Sequence, residues 1–356
     1  MLNELLITLT DLTSYLLYNI NFRRVLRPQN DLRLVYYHGI GDRDSPCMRY
    51  LDDEILPNVF KAHLDYLQKN YNIMPIEDAI QLLVNDGISQ DTIPICCISF
   101  DDGLRSVYTE AFPLLRARGI PFTVFVNTSV IGNKNLLFLH LLSYLLVCYG
   151  GLKISSIINR RIANIPPCPF EEREIGDWMR KNFEVVYESQ LGNAILEELG
   201  LDLTQIASEE ELYLDWEQIE EMSCHHVGFF SHTANHTPLG AFRNLKHVKN
   251  EIETALRSIT AKIINSDIFV SFPFGMESDY GKEALKLAFS AGHKYVVEAG
   301  NGVNPPGRIR GNKILSRVDL GNVKECQSSI YSAIELRPMV KDRIKTLLRR
   351  RYLPFP

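Results

Sequence analysis

The feature that most constrains this chain is an unbroken apolar run, Ile93-Pro-Ile-Cys-Cys-Ile-Ser-Phe100, which stops abruptly at Asp101-Asp102-Gly103. A half-exposed strand alternates polar and apolar residues. A run that is apolar at nearly every position fits a strand covered on both faces, as in a parallel sheet lying under helices. The flanking sequence supplies those helices. Leu32-Arg-Leu-Val-Tyr-Tyr37 predicts an earlier strand ending in His38-Gly39-Ile40. Val59, Phe60, Leu64 and Leu67 then fall on one face of a helix over 58–70, and Ile76 to Val84 predicts another, stopped by Asn85-Asp86-Gly87.

After the apolar run, Val107 to Arg118 has helical spacing and Gly119 ends it, and Pro121 to Asn127 returns to strand. Further strands are expected over Val227–Ser231, Asp267–Ser271 and Tyr295–Glu298, with helices between them. Strand and helix alternating in this way predict an α/β fold, either an open doubly wound sheet or a barrel. The Asp101-Asp102 pair sits where a strand hands over to a loop, the end that carries chemistry in barrels.

From about Gly132 to Leu214 the rhythm changes. Leu136 to Val147 predicts a very apolar helix, too short to span a bilayer. Charged helical segments follow over Phe170–Asn182 and Gln190–Leu199, separated by Pro166-Pro167-Cys168-Pro169. The expected organisation is an N-terminal helical segment (1–30), an α/β unit (31–335) with a helical insertion (132–214), and a basic C-terminal helix or tail (336–356).

Composition narrows the partners. A net charge of -5 over 356 residues, 46% of them hydrophobic, gives a sizeable core and no basic face for nucleic acid. Seven cysteines, an odd number with no CxxC pair, predict reduced and mostly buried thiols and a cytoplasmic setting. Cys224, close to a histidine-rich segment, is expected to be a small buried side chain rather than a ligand. The first residues lack the basic region of a secretory signal, and their apolar run is interrupted by Asp11. Near the other end, Lys341, Arg343, Lys345, Arg349, Arg350 and Arg351 alternate with Ile344, Leu347, Leu348 and Tyr352. Such a basic amphipathic helix can make peripheral contact with an anionic membrane. It can equally pack its apolar stripe on the domain, which is the preferred reading.

Three short segments, each after an expected strand, carry chemistry. In Ser99-Phe100-Asp101-Asp102-Gly103, adjacent carboxylates at a strand end point in different directions, so one can ligate a metal while the other faces its water. In Ser231-His232-Thr233-Ala234-Asn235-His236, two histidines four apart, with a carboxylate from elsewhere in the chain, make a His₂-carboxylate set suited to one divalent metal: Zn²⁺ first, with Co²⁺ or Ni²⁺ as alternatives. In Phe272-Pro273-Phe274-Gly275, aromatic surface and a glycine that admits close approach make a candidate substrate contact. Taken singly, the first segment more often marks an ordinary turn, the histidine pair is as often structural as ligating, and the third is only a loop. His63, His140, His225, His226, His247 and His293 are expected to be surface or core residues, and Trp216 to open a helix and pack.

Together these segments resemble the motifs of the polysaccharide deacetylase family (NodB homology, carbohydrate esterase family 4): SFDDG, HTANH and FPFG stand in the family's order, and the resemblance runs from about Leu34 to Arg317 outside the helical insertion. It implies a distorted, incomplete (β/α) barrel and hydrolytic removal of acetyl groups from an acetylated carbohydrate. Carried over by position, Asp101 matches the general base, and Asp102, His232 and His236 match the metal ligands. The implied metal is a Lewis acid at the acetyl carbonyl.

The chain departs from the family pattern in two places. An arginine often found two residues before the third-motif proline is Ser271 here. The C-terminal Leu-x-His, whose imidazole serves as acid, reads Leu315-Ser316-Arg317. Some subfamilies share Leu-x-Arg together with a Tyr-His like Tyr37-His38. The expectation is therefore that Arg317 reaches Asp101 in place of the missing arginine. His38 is a candidate for proton donation or substrate binding, with a structural histidine as the alternative. Competing functions are hydrolysis of a small non-peptide amide and a carbohydrate-binding homologue with weak turnover. A cytoplasmic lipid-linked or nucleotide-linked sugar is the expected substrate form.

Overall fold

A computed structural model describes residues 31–338 apart from 43–44, 52–53, 86–92, 164, 265, 267 and 301. The N-terminal segment 1–30, the Asp86-Gly87 helix stop and the basic residues from Lys341 onward lie outside the described residues. The architecture is an α/β barrel that does not quite close. Its strands are β1 (Leu32–Tyr37), β2 (Gly39–Ile40), β3 (Glu54–Ile55), β4 (Asn72–Ile73), β5 (Ile95–Phe100), β6 (Thr123–Val126), β7 (Gly228–Ser231), β8 (Phe269–Ser271), β9 (Tyr295–Glu298), β10 (Ile314–Ser316) and β11 (Val318–Asp319). Nine of them form one sheet in the order β10-β9-β8-β7-β6-β5-β1-β11, with β4 beside β5. Its strand pairings are parallel.

The two ends of that order are neighbours in sequence. β10 pairs with β9 through Ser316 and Glu298, and β11 pairs with β1 through Val318 and Val35. Only Arg317 lies between them, so the sheet nearly closes on itself at this residue.

Parity along the strands sorts residues between the two faces. Ile95 and Cys97 of β5 join Leu32, Leu34, Phe125, Phe230, Phe269, Val297 and Leu315 in a single cluster drawn from strands all round the sheet, the barrel interior. Cys96, Ile98 and Phe100 point the other way and pack with Val35, Tyr37, Phe60 and Leu64. Phe60 and Leu64 come from helix Pro57–Asn70, which starts with proline in its first turn, where no amide hydrogen is needed. Each such side chain contributes roughly 1.5–3 kcal/mol by leaving water. Extending the interior parity past the strand ends brings His38, Asp101, Asn127, His232, Ser271 and Arg317 into one layer at the C-terminal mouth.

Between β6 and β7 the chain builds a helical layer with its own core, centred on Leu141, Leu142, Leu145, Ile154, Ile158, Trp178, Met179 and Ile195. Helix Phe138–Tyr149 is apolar nearly all round because it packs against several other helices. Three helices here, Gly151–Arg161, Phe183–Glu188 and Leu203–Glu210, were not expected from the sequence. The Gly150-Gly151 pair reads as a break but begins the first, and Asp202 caps the last through the amides of Thr204 and Gln205.

The helix expected over 107–118 is not regular. A π-type turn over Val107–Ala111 precedes an α-helix over Phe112–Ala117. Pro113 has no amide hydrogen for the preceding turn, and the wider turn accommodates it. All seven cysteines are free, and Cys148, Cys224 and Cys326 are exposed, which corrects the expectation of a buried Cys224. Cys224 follows a helix end, where no strand covers it. Among the described residues no helix is long and apolar enough to cross a membrane.

Candidate functional site

Six side chains converge at the barrel mouth. Arg317, 1% exposed, reaches in from the seam and donates Nη1 to Asp101 Oδ1 at 2.7 Å and Nη2 to Asp101 Oδ2 at 2.6 Å. The same guanidinium donates to Ser271 Oγ at 2.8 Å and Ser99 Oγ at 3.3 Å. Its flat face lies 4.3 Å from the Tyr36 ring centre and 5.2 Å from that of Phe125. The planar fork thus meets two carboxylate oxygens, two hydroxyls and two aromatic faces, which a lysine could not do.

The electrostatic consequence falls on Asp101. Burial by itself pushes a carboxyl up, yet the adjacent Arg317 charge, aided by His232 and His38, overrides it and holds Asp101 down at about 2. Asp101 is therefore ionised at neutral pH although it is only 3% exposed.

Asp102 turns away from Asp101 because its backbone is left-handed, with φ 67°, and Gly103 follows at 69°. Thr233 (66°), His236 (54°) and Phe274 (61°) share this sparsely populated region. Such conformations cost of order 1–3 kcal/mol each and gather where a site requires them. Asp102 Oδ1 lies 3.5 Å from His232 Nε2 and 3.4 Å from His236 Nε2. His232 Nε2 is also 3.9 Å from Asp101 Oδ2.

The tautomer of His232 follows from its partner. Nδ1 is 2.9 Å from the Ser271 carbonyl oxygen, which can only accept, so Nδ1 carries the hydrogen and Nε2 offers a lone pair towards Asp102. Burial lowers His232 to about 4, against the raising influence of Asp101, and keeps the ring neutral. The segment carrying the histidines is held on both sides. His232 N donates to Val126 O at 2.9 Å, and the amides of Thr128 and Ser129 donate to Thr233 O and Ala234 O. Asn127 donates its side-chain amide to the His232 carbonyl. Buried Glu251 accepts from Asn235 N at 2.8 Å and Asn235 Nδ2 at 2.7 Å.

Asp102, His232 and His236 form a group whose ligand atoms all lie within 4.8 Å of one another. Two imidazole nitrogens and a carboxylate oxygen suit a divalent transition metal. Ligands about 2.0–2.1 Å from a tetrahedral centre are roughly 3.3 Å apart, so the 3.4 and 3.5 Å separations fit such an ion.

The third segment divides by strand parity. Phe272 follows β8 on its outer side, is 1% exposed and packs on Tyr280 at 5.0 Å, away from the mouth. Phe274 instead lies 5.0 Å from the His236 ring, and Pro273 is buried between the two. Gly275, at φ 67°, meets the end of β9: an added Cβ would lie 2.5 Å from both the Cβ and the amide nitrogen of Ala299. His38 is half-buried, its ring centre 5.6 Å from that of Tyr36.

Sequence reasoning did not pick out Ser99, Asn127 or Glu251, and treated Ser271 only as a departure. For Ser99 and Ser271 the signal was parity, since polar residues two before a candidate ligand or in an apolar strand face the same interior. For Glu251 it was a carboxylate placed in the buried stripe Val248, Ile252, Ala255 and Ile259.

A family model described as polysaccharide deacetylase matches residues 90–296. YxkH of Bacillus subtilis (strain 168), named as a polysaccharide deacetylase by inference, is 30% identical over 105 residues. That match covers 29% of this chain and 34% of YxkH, so the chain spans about a third of the length of this relative. Among solved structures, the Streptococcus pyogenes deacetylase PplD, solved with acetate, aligns with a TM-score of 0.54 at 15% identity, over 86% of this chain and 98% of its own. IcaB from Ammonifex degensii gives 0.55 at 17% identity, over 85% and 97%. These likenesses show the fold to be the incomplete (β/α) barrel of such proteins.

Proposed function

This chain belongs to the polysaccharide deacetylase family, and from that premise we propose that it is a metal-dependent hydrolase that removes acetyl groups from an N-acetylated, or O-acetylated, sugar. One observation carries the reading. A His₂-carboxylate group with metal-sized spacing stands beside a second carboxylate, Asp101, that a buried arginine keeps ionised. A binding protein has no need of the second carboxylate.

In this reading Asp102, His232 and His236 hold one divalent ion, zinc in first place. When bound, it would supply Lewis-acid polarisation of the acetyl carbonyl and a more acidic attacking water. Asp101 is the general base. Its Oδ2 keeps a lone pair beyond the one facing Arg317, and it lies on the side of His232 Nε2, where it accepts the water's proton. A carboxyl held at about 2 is a weak base, so this transfer depends on the water being acidified. Arg317 fixes the carboxylate in place. His38, close enough for its charge to act on Asp101, passes a proton to the departing nitrogen or oxygen. Phe274, half-buried beside His236, offers an aromatic face for the sugar, with Pro273 and Gly275 shaping the loop and Phe272 anchoring it from behind.

The barrel of 31–335 carries the chemistry, and the helical insertion of 132–214 shapes the substrate groove. Seven free cysteines support a reducing, cytoplasmic setting. The test is acetate release from a panel of N- and O-acetylated sugars by metal-stripped protein, with and without restored Zn²⁺, Co²⁺ or Ni²⁺. Metal-dependent release from one substrate class supports the reading. Equal rates with and without metal overturn it.

A further inference from the structure

The helical layer leaves a cavity of about 640 Å³ against the segment that carries the histidines. This is within the size range of small-molecule sites. Its wall towards the barrel is polar and includes Ser129, Asn235 and Thr237; the last two flank His236. The hydroxyls of Ser129 and Thr237 are buried and have no hydrogen-bond partner among the described residues. The remaining lining is mainly apolar, with Leu137, Leu141, Val186 and Leu191 beside Phe138 and Phe183, and carries Glu188, Gln190 and Asn193 among its polar members.

The aromatic rings here are engaged with one another. Phe183 stacks on Tyr187 at 25° and meets Phe138 edge-on at 87°. Their faces are thus spent on packing, which is a poor arrangement for stacking on a second sugar ring and a good one for lining a path for an aliphatic chain. A cation stands nearby on the same layer. Arg180, exposed and three residues before Phe183, lies 5.8 Å from the centre of the Phe274 ring, whose neighbour on the site side is His236. Among the described residues no carboxylate lies within ion-pair distance of Arg180.

We infer that the substrate is an acetylated sugar joined through a phosphate to a hydrocarbon chain: the sugar at the barrel mouth, the phosphate facing Arg180 and the chain in this cavity. The inference rests on the deacetylase reading and adds the form in which the sugar is presented. The order of the three parts follows from the layout. The polar wall adjoins the histidine segment, Arg180 lies over the Phe274 ring that neighbours His236, and the apolar side chains line the cavity beyond.

Gly192 offers a way to fill the cavity. It lies inside helix Leu191–Leu199, and an added Cβ would make ordinary contacts with Leu141 and Phe138 at 3.7 Å. The experiment compares a soluble N-acetylhexosamine 1-phosphate, its decyl phosphodiester and the neutral decyl glycoside in the full chain, in Gly192→Leu and Gly192→Phe, and in Arg180→Gln. Binding of fluorescent decyl phosphate is measured alongside, since it needs no hydrolysis.

Burying a few methylenes should favour the decyl phosphodiester over the soluble phosphate by about tenfold or more in kcat/KM. Both Gly192 variants should reduce that ratio towards unity and weaken decyl phosphate binding. Arg180→Gln should bring the phosphodiester down to the level of the neutral glycoside. Equal turnover of the soluble and decyl substrates, or decyl phosphate binding indifferent to both Gly192 variants, overturns the inference. Decyl phosphate binding that the Gly192 variants abolish, with no acetate released from any substrate, instead overturns the deacetylase reading and leaves the cavity assignment standing.

Discussion

Arg317 grips both carboxylate oxygens of Asp101 from the point where the barrel closes. The residue that joins β10 to β11 is thus the one that keeps Asp101 ionised, and its backbone amide donates to Glu298 O at 2.9 Å. Closure of the sheet and ionisation of Asp101 share one side chain. Its removal should be felt in the chemistry before it is felt in the metal.

Arg317→Ala should lower acetate release by about 10²–10⁴-fold, the usual worth of a positioned acid or base, while the protein still takes up one metal equivalent. Arg317→Lys should recover little, because a single ammonium cannot hold two carboxylate oxygens in plane. Metal content and rate measured on the same preparations decide the matter. Loss of metal in Arg317→Ala would show instead that Arg317 organises the ligands.

Glu251 does not touch the histidine rings but fixes Asn235 between them by two hydrogen bonds. Glu251→Ala should weaken metal affinity by about 10–100-fold, as loss of outer support does at other metal sites. Glu251→Gln, which keeps one acceptor oxygen, should fall between. Titration with a chromophoric chelator gives the affinity, and unchanged binding in Glu251→Ala would deny Glu251 this role.

Gly275→Ala should destabilise the fold, since the added methyl meets Ala299 in a left-handed backbone. A cost of about 1–3 kcal/mol is expected, or several degrees of Tm. Gly176, in helix Glu172–Lys181 with nothing within 4 Å of a new Cβ, is the control, and Gly176→Ala should not lower Tm. Equal melting of the two variants would contradict the close approach.

His63 gives a pH-dependent stability away from the mouth. Its Nε2 donates to Val323 O at 3.0 Å, so Nδ1, 3.2 Å from Tyr37 Oη, accepts. Burial lowers it to about 4 from 6.5. As pH falls below 6.5 the unfolded chain takes up the proton first, so stability is full above 6.5 and declines until about 4, by about 3 kcal/mol. Denaturant melts across this range should show a shallower decline in His63→Gln. An identical slope would remove His63 from the account.

Much of this was legible in the sequence, for physical reasons that differ from place to place. β5 announced itself because a strand covered on both faces has no room for polar residues, and Tyr295–Glu298 was found to its ends. The approach of Arg317 to Asp101 followed from motif departures alone. Helices Gly151–Arg161 and Phe183–Glu188 were hidden because tertiary packing, rather than a strong local signal, sustains them. The turn of Phe272 to the outer side of the sheet was missed because the aromatic pair was taken as one surface, although strand parity separates its members.

The central claim is that Asp101 acts on a substrate gathered at a metal held by Asp102, His232 and His236. Its most direct test titrates metal into stripped protein while following acetate release from one acetylated sugar, beside Asp101→Asn and His232→Ala. The account predicts a rate that rises with metal and saturates at one equivalent, an Asp101→Asn protein that binds metal without turnover, and a His232→Ala protein impaired in both. Turnover in metal-free protein, or an undiminished rate in Asp101→Asn, would contradict it.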